Sequence, residues 1–375
     1  MDDRRTNRDD FIITDGVLEE YIGIDEVVMI PYGVTSIGND AFLECDFLKS
    51  IVIPSTVKSI GGGAFSGCAC LTSIAVDEGN AVYDSRGGCN AIIETKTGRL
   101  IRGCASTVIP SGVKSIGDDA FSGCASLTSL VIPSGVASIG DGAFFECASL
   151  RSVVIPNSVK SIGESAFFEC ASLKSIVIPS SVESIGDDAF GGCASLRSVV
   201  IPSGVTSIGK RAFDFCASLT SIAVDEGNAI YDSRGGCNAI IETKTGRLIR
   251  GCASTVIPSG VKSIGDEAFY CCASLTSIVI PSGVESIGGY AFSGCASLTS
   301  IVIPSGVRSI GERAFSGCAS LTSVIIPSGV EKIGKCAFWD CPSLTIYCEE
   351  PYIPSGWDSD FNCDHRPVVW GYKGD

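Results

Sequence analysis

The chain has 375 residues, and its 42 acidic against 27 basic side chains give a net charge of −15. An acidic chain is repelled by phosphate backbones and anionic lipid, which argues against nucleic acids and membrane surfaces as partners. No apolar run approaches the ~20 residues of a membrane span, and the start, MDDRRTNRDD, lacks the apolar segment of a signal peptide. We therefore expect a cytoplasmic protein, or a surface or secreted one if a non-classical route exports it.

The first thirty residues are predicted to close one end of the fold. The segment DDFIITDGVLEEYIGIDEVV carries two alternating apolar runs on either side of Asp15-Gly16. Two such runs around Asp-Gly are typical of a β-hairpin. We assign residues 1–30 to an N-terminal cap and a first strand.

Residues 31–341 repeat a 23-residue unit, exemplified by Cys272–Gly294, CASLTSIVIPSGVESIGGYAFSG. The repeat is interrupted twice by enlarged units, and Leu71–Asp118 returns as Leu219–Asp266 with one change, which indicates an internal duplication. SLTSIVIP predicts a short strand, PSG a turn, VESI a second extended piece and GYAFSGC a compact turn. One unit cannot bury its apolar face alone, but stacked units bury a continuous core.

The predicted fold class is therefore a β-rich solenoid, a stack of 23-residue coils with a parallel β-sheet face and two enlarged coils that carry hairpins. Equal spacing predicts one interior column of phenylalanine rings: Phe42, Phe65, Phe121, Phe144, Phe167, Phe190, Phe213, Phe269, Phe292, Phe315 and Phe338.

The strand core L-x-x-I-x-I, followed by IPSGV.SIG..AF.GC.SL, resembles the BspA-type leucine-rich repeat over roughly Val27 to Cys341. The enlarged units resemble an insertion found in that family, and the ending PSGWDSDFNCDHRPVVWGY is similar to a terminal cap of bacterial members. The resemblance implies a leucine-rich-repeat solenoid used for binding, and some family members are surface adhesins for host proteins.

Eleven of the twenty cysteines follow the repeat and would form a column with neighbours about 4.8 Å apart. Parallel side chains suit buried thiols that donate weakly to backbone carbonyls better than they suit disulfides. A metal site needs a tight cluster such as two C-x-x-C pairs, which this sequence lacks. So many free thiols favour a reducing compartment. The column comprises Cys45, Cys68, Cys124, Cys147, Cys170, Cys193, Cys216, Cys272, Cys295, Cys318 and Cys341.

The sequence predicts neither catalysis nor a cofactor. The one histidine, His365, lies in the presumed C-terminal cap, so the solenoid cannot assemble a His–nucleophile pair or a His-rich metal site. The two positions before Ala-Phe hold Asp118-Asp119 in one coil and Lys210-Arg211 in another, which is typical of solvated surface. We expect a protein that is not an enzyme and that binds no metal.

An outward-facing row of aliphatic residues on the strands is the first candidate binding surface. It contains Val131, Val154, Val177 and Val200, and an outward row of serines precedes it. A long aliphatic row on an exposed sheet is unusual for a monomer and indicates a partner-binding face. The alternative is that these valines reflect only β-propensity and duplication.

The enlarged coils, residues 77–104 and 225–252, are the second candidate. In each, CNAIIE and RLIRG predict a hairpin, with Gly98 supplying the positive φ in the first copy. The preceding YDSRGG offers Tyr and Arg, the residue types that anchor interfaces, although turn chemistry with Tyr83 packed under the loop is the alternative. The candidate partner-binding residues are Tyr83, Arg86, Tyr231 and Arg234.

The two hairpins carry the same chemistry, so a repetitive or dimeric partner would gain avidity by engaging both. Under oxidising conditions, Cys89 and Cys104 would face each other across the first hairpin, and Cys237 and Cys252 across its copy.

Residues 342–375 are assigned to a C-terminal cap, because a solenoid end needs an apolar lid. The three tryptophans, Trp339, Trp357 and Trp370, are concentrated in this segment and just before it, where such a lid is required. The predicted function is a monomeric, non-catalytic leucine-rich-repeat module that mediates protein–protein interaction. The alternative is a bacterial surface adhesin that binds host or partner-cell proteins.

Overall fold

The computed structural model describes residues 8–374 and consists of short strands joined by turns. The chain divides into two compact units, Met1–Ala194 with Ser207–Ala212 and Ser195–Thr206 with Phe213–Asp375. Within the described range, the helical segments are three 3-10 helices of three residues each, Arg8–Asp10, Arg86–Gly88 and Arg234–Gly236. None of the helices found there is long and apolar enough to cross a bilayer.

Thirty-one strands follow one another within the described residues. The first sixteen are β1 Phe11–Thr14, β2 Val17–Tyr21, β3 Val27–Met29, β4 Ser36–Ile37, β5 Ser50–Ile53, β6 Ser59–Ile60, β7 Ser73–Val76, β8 Tyr83–Asp84, β9 Ala91–Glu94, β10 Arg99–Gly103, β11 Ser115–Ile116, β12 Ser129–Val131, β13 Ser138–Ile139, β14 Ser152–Val154, β15 Ser161–Ile162 and β16 Ser184–Ile185. The rest are β17 Ser198–Ile201, β18 Ser207–Ile208, β19 Ser221–Val224, β20 Tyr231–Asp232, β21 Ala239–Glu242, β22 Arg247–Gly251, β23 Ser263–Ile264, β24 Ser277–Val279, β25 Ser286–Ile287, β26 Ser300–Val302, β27 Ser309–Ile310, β28 Ser323–Ile326, β29 Lys332–Ile333, β30 Thr345–Cys348 and β31 Val368–Trp370.

A typical coil supplies one strand to a front sheet and one to a back sheet. In the front sheet β12 pairs with β14 in parallel, and in the back sheet β13 pairs with β15 in parallel. The constant repeat length fixes this register, since Ser129 lies opposite Ser152 and Ser138 opposite Ser161. The result is the β-solenoid of parallel sheets that the repeat predicts.

The strands of each unit are divided between front and back sheets in this way. In the first unit the front sheets are β3-β5-β7 and β12-β14, and the back sheets are β1-β2-β4-β6 and β18-β16-β15-β13-β11-β10-β9-β8. In the second unit the front sheets are β17-β19 and β24-β26-β28-β30-β31, and the back sheet is β20-β21-β22-β23-β25-β27-β29.

Stacked phenylalanine rings fill the interior between the sheets. In the first unit, the rings of Phe121, Phe144, Phe167 and Phe190 follow one another with centroid separations of 5.1, 4.9 and 5.3 Å. The second unit repeats the stack at 5.0, 5.3 and 5.5 Å through Phe269, Phe292, Phe315 and Phe338. These rings are fully buried, so they anchor each coil to its neighbours.

The prediction of one unbroken phenylalanine column is wrong at the enlarged coils. The first of these coils lies between Phe65 and Phe121 in the chain and has glycine, Gly103, where its strand reaches the interior. A Cβ atom on Gly103 would lie 2.2 Å from Cε1 of Phe121, so the ring of Phe121 fills the space that a side chain would need. Gly251 and Phe269 repeat this contact in the second copy.

The predicted hairpins are present. Strands β1 and β2 are antiparallel and are joined through Asp15 and Gly16, with φ of 50° and 81°. Strands β9 and β10 form the hairpin of the first enlarged coil, and Gly98 adopts the predicted positive φ of 72°. Strand β10 then pairs in parallel with β11, which joins the enlarged coil to the back sheet.

Two of the three tryptophans cover the C-terminal end of the second unit. Trp357 is buried, donates from Nε1 to the carbonyl of Val330 at 2.9 Å, and lies 6.0 Å from Trp370 between ring centroids. Trp339 was expected in the same lid but is exposed, with the guanidinium of Arg313 5.1 Å from its ring centroid. Of the three tryptophans, Trp357 and Trp370 therefore belong to the lid, together with Phe361, whose ring centroid lies 5.1 Å from that of Trp357.

Candidate functional site

The front face of the first unit carries an exposed column of aliphatic side chains. Val131, Val154 and Val177 are 66%, 58% and 78% exposed, and Val108 one coil earlier is exposed as well. Val131 lies directly opposite Val154 in the parallel register. These four residues are called the valine column below.

The alternation of the front strands explains why these side chains point outward. In Ser129–Val131 the central Leu130 is buried and both neighbours are exposed, and Ser152–Val154 shows the same pattern. Each of these two strands therefore places a leucine or valine inward and a valine outward. Burial in the core does not account for the outward valine.

The second unit carries an equivalent row. Val200, Val256, Val279, Val302 and Ile325 are all exposed on its front strands or the corresponding extended segments. Val279 lies opposite Val302, and Val302 opposite Ile325. Both units thus expose the aliphatic row that the sequence predicts, and Val200 belongs to the row of the second unit.

The tyrosines of the enlarged coils do not lie where the sequence prediction placed them. Tyr83 and Tyr231 are only 6% and 8% exposed. Each starts a strand of the hairpin sheet and turns its ring into the core, which is the packed alternative for Tyr83. This burial favours the packed alternative, and contact of these two tyrosines with a partner stays a prediction.

The arginines of the same coils are more accessible but are tied to a neighbouring carboxylate. Arg86 donates from Nε to Asp84 at 2.7 Å and Arg234 from Nε to Asp232 at 2.8 Å. Burial of Asp84 opposes its ionisation, but the hydrogen bonds from Arg86 outweigh burial and hold the pKa of Asp84 below its ordinary value. One edge of each guanidinium is thus occupied within the coil, which restricts Arg86 and Arg234 as contacts for a partner.

The repeat cysteines form a column of buried thiols bonded to the backbone. Sγ of Cys147, Cys170 and Cys193 donates to the carbonyl of the phenylalanine 26 residues earlier at 3.1, 3.2 and 3.3 Å. Burial raises the pKa of Cys170 to about 12. No group of three His, Cys, Asp or Glu side chains within residues 8–374 has a geometry suited to a metal ion.

We expect few of these thiols to react in the folded protein. Of the free cysteines, Cys70 is exposed, Cys271 and Cys272 are half-buried, and the rest are buried. A thiol reagent at pH 8 should therefore modify no more than about three groups, because buried thiols with raised pKa supply little thiolate. Rapid modification of most thiols without denaturant would contradict the packing account, and denaturant supplies the control for full reactivity.

The oxidation state differs from the sequence prediction in one place. Cys336 and Cys363 form a disulfide between the last plain coil and the C-terminal cap, with Cα atoms 5.1 Å apart. The four hairpin cysteines, Cys89, Cys104, Cys237 and Cys252, are free thiols. Cys336 could not be predicted from the repeat, because the other coils carry different residues at its position.

Sequence reasoning also missed two buried arginines. Arg102 and Arg250, in the RLIRG runs of the enlarged coils, are 3% and 8% exposed. Arg250 forms an ion pair with Asp214, which is 1% exposed. The burial of both arginines could have been predicted from the sequence. Each occupies an inward-facing position of an alternating strand in which the other inward residues are apolar.

Comparison with known proteins supports the repeat assignment. The family model for the BspA type leucine-rich repeat region matches six copies, in residues 15–86, 102–232 and 249–350. The chain belongs to this family. No curated protein matches it significantly.

Several solved structures are similar to the chain. A leucine-rich cell surface protein from Faecalibacterium prausnitzii A2-165 is 31% identical, with a TM-score of 0.67, over 97% of this chain and 93% of that one. A leucine-rich repeat protein from Bacteroides ovatus is 30% identical over 95% and 94% of the two chains, with a TM-score of 0.49. The pneumococcal vaccine antigen PcpA is 18% identical over 95% and 92%, with a TM-score of 0.50, and shows the fold alone.

Proposed function

We propose that this chain is a non-catalytic binding module that engages a protein partner through the exposed aliphatic row of its front face. The observation that carries the proposal is the exposure of Val131, Val154 and Val177 in successive coils. Contiguous apolar side chains on a soluble surface mark sites of interaction. The high β-propensity of valine would also explain why it occurs at these positions. A binding experiment is therefore needed to distinguish a partner-binding row from valines that only favour the strand.

The side chains beside the valine column indicate the chemistry of the partner. Although the chain carries a net charge of −15, the residues that precede β14 and the next front segment are Arg151 and Lys174, and both are exposed. They stand three residues before Val154 and Val177. A protein segment with apolar and acidic side chains fits this combination, whereas the overall negative charge disfavours nucleic acid.

The test uses a partner that the wild-type chain captures from native cell extract and that is then purified for calorimetry. Val154→Glu with Val177→Glu should weaken its binding about 30-fold or more, since a central apolar contact typically contributes about 2 kcal/mol or more. The folded state should be unaffected because both side chains are exposed.

The matched control is Ala137→Glu with Lys160→Gln, which lowers the charge by the same two units. These positions precede β13 and β15, strands of the back sheet, and are exposed. This control should bind like the wild type. Equal affinity of the valine variant and the wild type would refute the front-face proposal.

A bacterial surface adhesin that binds host or partner-cell proteins is the second candidate function. It is supported by the similarity to a cell surface protein that is 31% identical over almost the whole chain. The disulfide of Cys336 and Cys363 is also more typical of an oxidising location than of the cytoplasm. Protease treatment of intact cells separates the two locations: digestion of the chain supports the surface, and protection until lysis supports the cytoplasm.

A further inference from the structure

The two enlarged coils bury their arginines against equivalent carbonyls, although Nη2 donates to Sγ of Cys124 from Arg102 and to the carbonyl of Tyr270 from Arg250. Nη1 of Arg102 donates to the carbonyl of Asp119 at 3.0 Å, and Nη1 of Arg250 donates to the carbonyl of Glu267 at 3.2 Å. These residues are related by the 148-residue shift of the duplication. The Nε atom of each arginine has no hydrogen-bond partner within residues 8–374.

The charge of the two guanidiniums is compensated differently. In the second unit, the carboxylate of Asp214 pairs with Arg250. The equivalent position in the first unit, 148 residues earlier, is Ser66, and Arg102 forms no ion pair with any residue of the described chain. A buried guanidinium without a carboxylate is costly, because water no longer solvates its charge.

A cavity of about 240 Å³ lies at this position in the first unit. Its lining includes Arg102, Ser66 and the glycines Gly61, Gly62 and Gly63. The second copy has Lys210 and Arg211 in place of Gly62 and Gly63. The first copy therefore lacks both the internal carboxylate and the bulky side chains of its counterpart, and it has room for a small organic anion.

Backbone amides add donors to the lining. In a plain coil, the amides of Asp119 and Phe121 donate to carbonyls of the next coil at 2.9 and 2.7 Å. The corresponding amides of Gly63 and Phe65 line the cavity and make no hydrogen bond among the described residues. The enlarged coil interrupts the ladder of hydrogen bonds at this point, so the residues that carry these two N–H groups line the same cavity as Arg102.

The carboxyl groups around the cavity limit the charge of a ligand. Asp118 is paired with Arg99 at 2.7 Å, and Asp119 also lines the cavity. Asp40 lies against Gly63 from the preceding coil. A doubly charged phosphate would be repelled by these groups, whereas a singly charged carboxylate matches the interaction that Asp214 makes in the second unit.

We propose that the cavity at Arg102 is a binding site for a carboxylate, held by the guanidinium of Arg102 and the amides of Gly63 and Phe65. The bound carboxylate would pair with Arg102 in the first unit, as the carboxylate of Asp214 pairs with Arg250 in the second unit. It comes either from a free small monocarboxylate or from an aspartate or glutamate side chain of a peptide, and both present the same group to Arg102.

The test measures the Tm of the full chain in rising acetate, at constant ionic strength against chloride. The wild type should gain stability with a saturating dependence on acetate, because a ligand that binds only the folded state raises Tm. Ser66→Asp, which copies the second unit, should remove the response. Asp214→Ser with Lys210→Gly and Arg211→Gly, which copies all three differences of the first unit, should add a response at Arg250.

A second experiment with a peptide distinguishes a free carboxylate from the side chain of a peptide as the ligand. Acetate and a blocked aspartyl dipeptide should both act if the site takes free carboxylates, whereas action of the dipeptide alone assigns the site to peptide side chains. Direct titration by calorimetry of the wild type and Arg102→Gln covers the case in which Ser66→Asp fails to fold. Equal responses of the wild type and Ser66→Asp, or no difference between the carboxylates and chloride, would overturn the proposal.

Discussion

Phe167→Ala is expected to lower the free energy of unfolding by about 3–5 kcal/mol, the range found when a fully buried aromatic ring is removed. The ring of Phe167 stacks on Phe144 at 4.9 Å and on Phe190 at 5.3 Å between centroids. Its loss leaves a cavity between two coils whose stability depends on their neighbours. Urea denaturation followed by circular dichroism measures the change.

The adjacent Phe168 supplies the control for this prediction. Its ring is only half-buried and stacks on Phe145 at 5.4 Å. Phe168→Ala should therefore cost much less than Phe167→Ala, although the residue type and the position along the chain are almost the same. Equal losses for the two variants would show that the interior stack does not hold the coils together.

Asp214→Ala is expected to destabilise the chain by about 3–5 kcal/mol, because it leaves the guanidinium of Arg250 buried without its carboxylate. Removing both charges by Asp214→Ala with Arg250→Met should recover most of this loss, since no charge is then buried. The same urea experiment measures both variants.

Ser66→Ala is the matched control in the first unit, where the serine at this position makes no ion pair with Arg102. It should change stability by less than about 1 kcal/mol. If Asp214→Ala were as mild as Ser66→Ala, the buried ion pair would not stabilise the second unit.

The fold was predictable from sequence wherever the 23-residue period holds. A fixed period sets the parallel register, as shown by Ser129 opposite Ser152, and it determines which residues alternate inward. The thiol hydrogen bonds of Cys147 and Cys170 follow from the same period, because each donates to the preceding coil. The exposure of the valine column follows from the alternation within each front strand.

The period gives no information about the enlarged coils and the C-terminal cap. Tyr83 is buried because β8 pairs with β9, and neither strand has a counterpart in a plain coil. The contact between Gly103 and Phe121 depends on how the hairpin enters the stack. The disulfide joins Cys336 to Cys363, two positions outside the cysteine repeat.

The difference between Arg102 and Arg250 could not be predicted from the sequence. RLIRG occurs twice without change, so the sequence predicts identical roles for Arg102 and Arg250. The difference arises from Ser66 and Asp214, which lie 36 residues earlier in the chain but in the adjacent coil of the stack. A local sequence pattern does not predict a contact between residues that are so far apart in the chain.

The most direct test of the central claim places a photo-crosslinking amino acid at one position in the chain and exposes it to the purified partner. Installed at Val154 on the front face, it should give a strong crosslink, because the partner covers the valine column. Installed at Glu164, which is exposed beyond back strand β15, it should give none. Crosslinks from Glu164 with none from Val154 would contradict binding through the front face.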